Sequence, residues 1–183
     1  MPELANDLAL SKKIQSVKAS GIRIFDNKVS TIPGIIKLTL GEPDMNTPEH
    51  VKTAAIESIR NNDSHYAPQK GKLELRQAIS NYLKKATGVV YDPETEIVVT
   101  VGATEAINAT LFSITNPGDK VAIPTPVFSL YWPVATLADA DYVLMNTSED
   151  NFKLTPERLE STLKEESNIK AVILNYPVNP TGV

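Results

Sequence analysis

Cysteine is absent from all 183 residues. That excludes disulfides, thiolate metal sites and cysteine nucleophiles, and makes a reducing, cytoplasmic setting the simplest expectation. Histidine is nearly absent: His50 and His65 stand fifteen positions apart and lack the spacing of a zinc-binding helix, so neither is read as a ligand and no metal is expected. A basic excess is missing too, since 18 Lys and Arg face 22 Asp and Glu for a net charge of -4, which argues against a nucleic-acid footprint or a polybasic membrane surface. The first thirty residues scatter Lys through their length and hold no continuous apolar run. No signal peptide is read there, and no later stretch is long enough to span a bilayer. What remains is ordinary for a globular chain: 42% hydrophobic, 22% charged and 6% aromatic, with length enough for one compact domain or for part of a larger protein.

Helical and strand patterns alternate along the chain, the signature of an α/β fold. Thr47 followed by Pro48 reads as an N-cap and first helical position, with Val51, Ala55 and Ile59 on one face. Leu75, Ile79 and Leu83 repeat that spacing in a helix that Gly88 would close. "EIVVTV" (96–101) reads as a strand, followed by a tight turn and a helix carrying Ile107, Leu111 and Ile114. Further strands are expected around Val121 to Ile123, in "DADYVLMN" and in "KAVILN". The last is apolar without alternation, as in a parallel sheet covered on both faces. "TPERLESTLKEE" is a capped amphipathic helix with Leu159 and Leu163 inward, and residues 1 to about 45 read as a helix and an extended segment beside the main body.

Five short stretches can carry chemistry. In "VTVGATEA", Gly102, Ala103 and Thr104 occupy the turn from strand to helix, where free backbone N–H groups and the Thr104 hydroxyl suit a phosphate; an ordinary βα turn fits as well. One exposed helix terminus contributes only about 0.3 to 1 kcal/mol to an anion, so a phosphate held there needs further contacts. In "PTPVFSLYWP", Phe128, Tyr131 and Trp132 cluster at the expected ligand edge of the sheet, able to stack on a planar heterocycle or simply to pack the core. Tyr66 in "DSHYAPQKGKLELR" offers a long hydroxyl donor or a helix cap. Gly41 in "LTLGEPDMNTP" presents a backbone N–H suited to a carboxylate, or a plain turn. Asn179 in "NYPVNPTGV" can donate to an anionic oxygen and accept at once, in what is otherwise an unremarkable turn.

Taken in order and at these intervals, "LTLGEPD", "HYAPQKGKLELR", "VTVGATEA", "PTPVFSLYWP" and "NYPVNPTG" resemble the class I/II, fold type I aminotransferases that use pyridoxal 5'-phosphate. The resemblance runs from about residue 14 to the end. "GIRIFDNKVS" and "LTLGEPDMNTPEHV" are most similar to bacterial aromatic amino acid aminotransferases, with N-acetyl-diaminopimelate aminotransferases close behind. The resemblance implies a mainly parallel sheet flanked by helices, with an N-terminal arm and small-domain segment over 1–45 and the first part of the cofactor-binding large domain over 46–183. It implies that Ala103 and Thr104 bind the cofactor phosphate, that Phe128 stacks on the pyridine ring, and that Asn179 hydrogen-bonds its phenolic oxygen. Gly41 and Asn179 fall at substrate-binding positions, with Gly41 meeting the α-carboxylate. Tyr66 falls at the position that reaches across a homodimer to the other subunit's phosphate.

The implied reaction moves the amino group of an L-amino acid, an aromatic one by this wording, to a 2-oxo acid such as 2-oxoglutarate. The Lys that ties the cofactor covalently, the Asp at its pyridine nitrogen and the Arg that clamps the α-carboxylate belong to motifs after NPTG, and none is among these residues. Lys12 and Lys13 follow Ser11 but lack the rest of the lysine motif. The chain is therefore expected to be the N-terminal portion of a longer enzyme, inactive by itself and left with open sheet edges. An N-acetyl-diaminopimelate aminotransferase or a carbon–sulfur lyase of the same fold, or a non-enzymatic regulator that keeps the fold, are the alternatives.

Overall fold

The computed structural model describes residues 10–18 and 20–183. Residues 1–9 of the expected N-terminal arm lie outside the described residues. The chain forms two compact units: one joins the described residues up to Thr31 with Gly102–Val183, and the other is Ile32–Val101.

The first unit is built on a three-stranded parallel sheet, β1 (Lys120–Thr125), β2 (Asp141–Asn146) and β3 (Ile169–Val172), in the order β2-β1-β3. β1 is the central strand, and its middle residues Val121, Ala122 and Ile123 are fully buried. Lys120 pairs with Asp141 and Thr125 with Asn146 across β1 and β2. On the other side the register shifts between Lys120 and Val121, so that Lys120 faces Ile169 while Val121 faces Ala171. Past the last β3 pair, the Ile173 N–H still donates to Ala122 O at 3.0 Å.

Helices α1 (Lys12–Ser16), α2 (Gly21–Val29), α5 (Gly102–Ile114), α6 (Tyr131–Leu137) and α7 (Pro156–Glu165) belong to this unit. The core joins Leu111 of α5, Val121 and Ile123 of β1, Tyr131, Val134 and Ala135 of α6, and Ala138 and Ala140 beyond it. α7 starts as its sequence dictates: Thr155 caps it by accepting from the Arg158 N–H at 3.3 Å, and Pro156 fills the first turn. Leu159 is half-buried, but Leu163, expected inward, is exposed. At the amino edge of the sheet, Lys120 of β1 pairs with Glu166 at 2.8 Å just before β3.

The second unit contains α3 (Glu49–Arg60) and α4 (Leu73–Thr87). α3 begins one residue later than expected, because Pro48 has ψ 143 and so takes the cap position itself; Thr47 does not cap. Its apolar stripe is not covered among the described residues, with Ile59 73% exposed. α4 ends at Gly88 as expected, in the left-handed conformation at φ 79, with the Gly88 N–H on Lys84 O. The face of α4 that is buried holds Arg76 and Ser80, not Leu75. The Arg76 guanidinium donates to the carbonyls of Gly71 and Pro93, and the Ser80 hydroxyl to that of Tyr91.

Residues 96–101, expected as a strand, form no regular element and take no part in the three-stranded ladder. β-propensity needs a pairing partner to become a strand, and the Val99 N–H instead meets the loop carbonyl of Lys70 at 3.0 Å.

Candidate functional site

Parallel strands gather ligands at their carboxyl ends, above all where the strand order reverses. Here the chain steps from β1 to β2 on one side and then crosses back to β3 on the other, so β1 is the point of reversal. A small cleft, open to solvent, lies at that edge, lined by Pro124 and Pro126 from the end of β1, Thr147 and Phe152 beyond β2, and Asn175 and Tyr176 beyond β3. Thr147 is buried, and both its N–H and its hydroxyl donate to Thr125 O at 3.0 Å, which ties the exits of β1 and β2 together. Arg158 of α7 then holds the following 3-10 turn, Ser148–Asp150, through Asp150 at 2.5 Å and Glu149 at 3.4 Å. The Asp150 carboxylate raises the Arg158 pKa above its ordinary value.

Phe128 sits three residues past β1. Its neighbour in the sequence cluster, Tyr131, is buried in the core and Trp132 packs against that core, so of the three aromatics Phe128 is the one with a substantially open ring, at 41% exposure. Tyr131 meets it edge-on at 6.4 Å between centroids and 86° between planes, a contact that fixes a ring without covering both of its faces. Asn179 sits seven residues past β3. It is exposed, and its side-chain amide has no hydrogen-bond partner among the described residues. Neither residue lines the cleft, but each directly follows one that does, Val127 and Val178.

Ala103 and Thr104 occupy the first turn of α5. Gly102, at φ 79, turns the chain into that helix, a conformation in which a side chain is strained. A short turn at Asn116–Asp119 joins α5 to β1, closed by the Asp119 N–H on Asn116 O at 3.0 Å and the Asn116 N–H on the Asp119 carboxylate at 2.8 Å. The Thr104 hydroxyl has no partner among the described residues, whereas its carbonyl accepts from Asn108. Ala103, Thr104, Phe128 and Asn179 thus belong to one unit.

Gly41 and Tyr66 belong to the other unit. Gly41 lies in irregular backbone, with nothing within 4 Å of where a Cβ would stand. Tyr66 is fully exposed, at 107%. Its loop is closed behind it by the Gly71 N–H on Pro68 O at 2.8 Å and by an ion pair between Lys72 and Asp63. Lys72, and then the Ser58 hydroxyl at 3.1 Å, hold the Asp63 carboxyl below its ordinary range.

The donor set suits a phosphorylated planar heterocycle: the N–H groups of Ala103 and Thr104 and the Thr104 hydroxyl at a helix start, an open ring and an amide without a partner among the described residues. Lys13 is ion-paired with Asp139, in α1 and just past α6. Among the described residues no three His, Asp or Glu side chains gather to hold a metal, and no helix is long and apolar enough to cross a membrane. Asn175 and Tyr176 carry no signal of their own in the sequence and join the site only because β3 places them in the cleft.

The family model for aminotransferase class I and II matches residues 33–183. The chain is 44% identical over 174 residues to a probable N-acetyl-LL-diaminopimelate aminotransferase of Bacillus subtilis (strain 168), covering 95% of this chain and 44% of that protein. It is 39% identical over 176 residues to aromatic-amino-acid aminotransferase 2 of Thermococcus litoralis, covering 96% and 45%. Among solved structures it matches an aromatic aminotransferase from Pyrococcus horikoshii OT3 with TM-score 0.83 and 38% identity, over 96% of this chain and 43% of that one. An aspartate aminotransferase from Thermus thermophilus with maleate gives TM-score 0.86 at 33% identity, over 93% and 45%. The chain spans less than half the length of these relatives.

Proposed function

The chain belongs to the aminotransferase class I and II family, whose members depend on pyridoxal 5'-phosphate, and on that footing we propose that the protein carrying it transfers an amino group from an L-amino acid to a 2-oxo acid. The observation that supports the proposal is that Ala103 and Thr104 at the start of α5, Phe128 three residues past β1 and Asn179 seven residues past β3 belong to one parallel-sheet unit. Bound pyridoxal phosphate supplies the electron sink through which the amino group moves. The chain's own residues bind and orient it. The N–H groups at Ala103 and Thr104 and the Thr104 hydroxyl take the phosphate. Phe128, held from its edge by Tyr131, covers one face of the ring. The Asn179 amide donates to the phenolic oxygen and so sets its proton affinity. Gly41 gives its N–H to the substrate carboxylate, supported by the open space beside it. Tyr66 reaches the phosphate of a second copy, supported by its full exposure, and the homodimer belongs to the same proposal.

We assign residues 1–45 to an arm and small-domain segment and 46–183 to the first part of the cofactor-binding domain, in a cytoplasmic enzyme. The substrate reading is an aromatic amino acid with 2-oxoglutarate as acceptor. The 44% identity to a probable N-acetyl-LL-diaminopimelate aminotransferase favours a second reading, with that compound as donor. The test is 2-oxo acid formation by the full-length protein from phenylalanine and from N-acetyl-diaminopimelate, each with 2-oxoglutarate, beside pyruvate and ammonia release from cystathionine. Turnover of phenylalanine supports the first reading and turnover of the acetylated substrate the second. Cystathionine cleavage alone, or a folded protein that takes up no pyridoxal phosphate, refutes the transaminase assignment.

A further inference from the structure

Asn179 is exposed, and among the described residues its side chain has no hydrogen bond to steer it, so its aim depends on where the backbone puts it. Two clamps hold that backbone. On the C-terminal side the Val178 N–H donates to Val183 O at 2.8 Å and the Gly182 N–H to Val178 O at 2.7 Å, a closure made of main chain alone. On the N-terminal side the Asn179 N–H donates to the side-chain Oδ1 of Asn175 at 3.2 Å. Pro177 and Pro180 have no N–H to offer, so few main-chain bonds are open to the segment between. Asn175 is itself anchored: it follows β3 by three residues, two beyond Ile173, whose N–H still bonds to β1, and it lines the carboxyl-edge cleft half-buried.

We infer that Asn175 is a positioning residue for Asn179, carrying the placement of the sheet edge to the amide that meets the cofactor. The inference rests on the proposed role of Asn179. In this reading Asn175 acts through its side-chain oxygen, which replaces a main-chain acceptor, and an Asp carries the same oxygen. Displacement of a positioned group by about 1 Å is enough to weaken its function strongly.

The test is the pH midpoint of the visible absorbance of bound pyridoxal phosphate, measured on the full-length protein. A hydrogen bond donated to the phenolic oxygen favours its deprotonated form, so losing it raises the midpoint. Asn179→Ala is expected to raise it by about one unit and Asn175→Ala by a clear part of that. Asn175→Asp, which retains the acceptor, is expected to stay near wild type. The double variant is expected to match Asn179→Ala, because Asn175 acts only through Asn179. A midpoint that moves in Asn179→Ala but not in Asn175→Ala overturns the inference alone, as does a double variant in which the two shifts add. A midpoint unmoved by Asn179→Ala overturns the proposed role of Asn179 and this inference with it. If Asn175→Ala does not fold, Asn175→Gln, which displaces the oxygen by one methylene, is read by the same outcomes.

Discussion

Replacing Gly71 with Ala separates two costs that usually arrive together. Gly71 has φ +91, and a Cβ built on it would stand 2.7 Å from both Cβ and Cγ2 of Val99. Ordinary contact begins at 3.4 Å, so one side must retreat by about 0.7 Å. The backbone term is about 1 to 2 kcal/mol for a non-glycine residue in the left-handed region. Forcing an extra methyl into a closed contact adds about 1 to 3 kcal/mol. Gly88 provides the control: its φ is +79, but nothing lies within 4 Å of its Cβ position. Gly88→Ala should therefore show the backbone term alone, and Gly71→Ala about 2 to 5 kcal/mol in all. Val99→Ala should relieve Gly71→Ala only in part, since one of the two close atoms is the Val99 Cβ itself. Urea denaturation of the full-length protein measures the totals. Amide exchange of Val99, whose N–H meets Lys70 O beside the clash, reports whether the strain is local. Equal destabilisation by Gly71→Ala and Gly88→Ala, with Val99 still protected, would refute the steric reasoning. The loop at stake carries Tyr66, so the same variant should disturb whatever Tyr66 reaches.

Thr104→Ala should weaken binding of pyridoxal phosphate by about tenfold and leave binding of unphosphorylated pyridoxal unchanged, as read by equilibrium dialysis, because the hydroxyl serves the phosphate. Asp63→Asn should cost stability at neutral pH by removing a carboxylate whose pKa lies below its ordinary 3.8, and the difference from wild type should close as pH falls below 3.8 through the depressed value. Urea midpoints along that pH range check it. Ile123→Ala, at a fully buried position of β1, should destabilise by about 2 to 5 kcal/mol by denaturant titration. Thr155→Ala should cost about 1 kcal/mol in the same assay by uncapping α7.

The parallel sheet, α4 with its glycine stop and α7 with its cap were legible because each is signalled locally, by periodicity and by residues whose conformational preferences are strong. What misled was reading apolar spacing as burial. Arg76 and Ser80 occupy the buried face of α4 because they satisfy carbonyls of an irregular chain, a demand that no hydrophobic pattern encodes. Residues 96–101 have strand composition but bond to a loop, since pairing is a property of two segments. The cluster of Phe128, Tyr131 and Trp132 could not be divided between core and site until α6 turned Tyr131 inward. The cleft was invisible because its walls come from three strand ends spread from Pro124 to Val178.

The strand order also sets a timetable. β1 and β2 are consecutive in the chain, so their half of the sheet can form as soon as Asn146 has been made. β3 ends 26 residues later, at Val172, and Asn179 follows it. At about 5 to 20 residues per second, synthesis leaves the flank of β1 that β3 will cover unpaired for on the order of a second or more. During that interval Val121 and Ala122 lack the β3 neighbours they have in the folded unit, and the nascent chain passes through a state in which the β3 wall of the cleft is missing. Of these three strands β3 is the last to be made, so its side of the carboxyl edge, with Asn175 and Asn179, joins an edge that β1 and β2 have already begun.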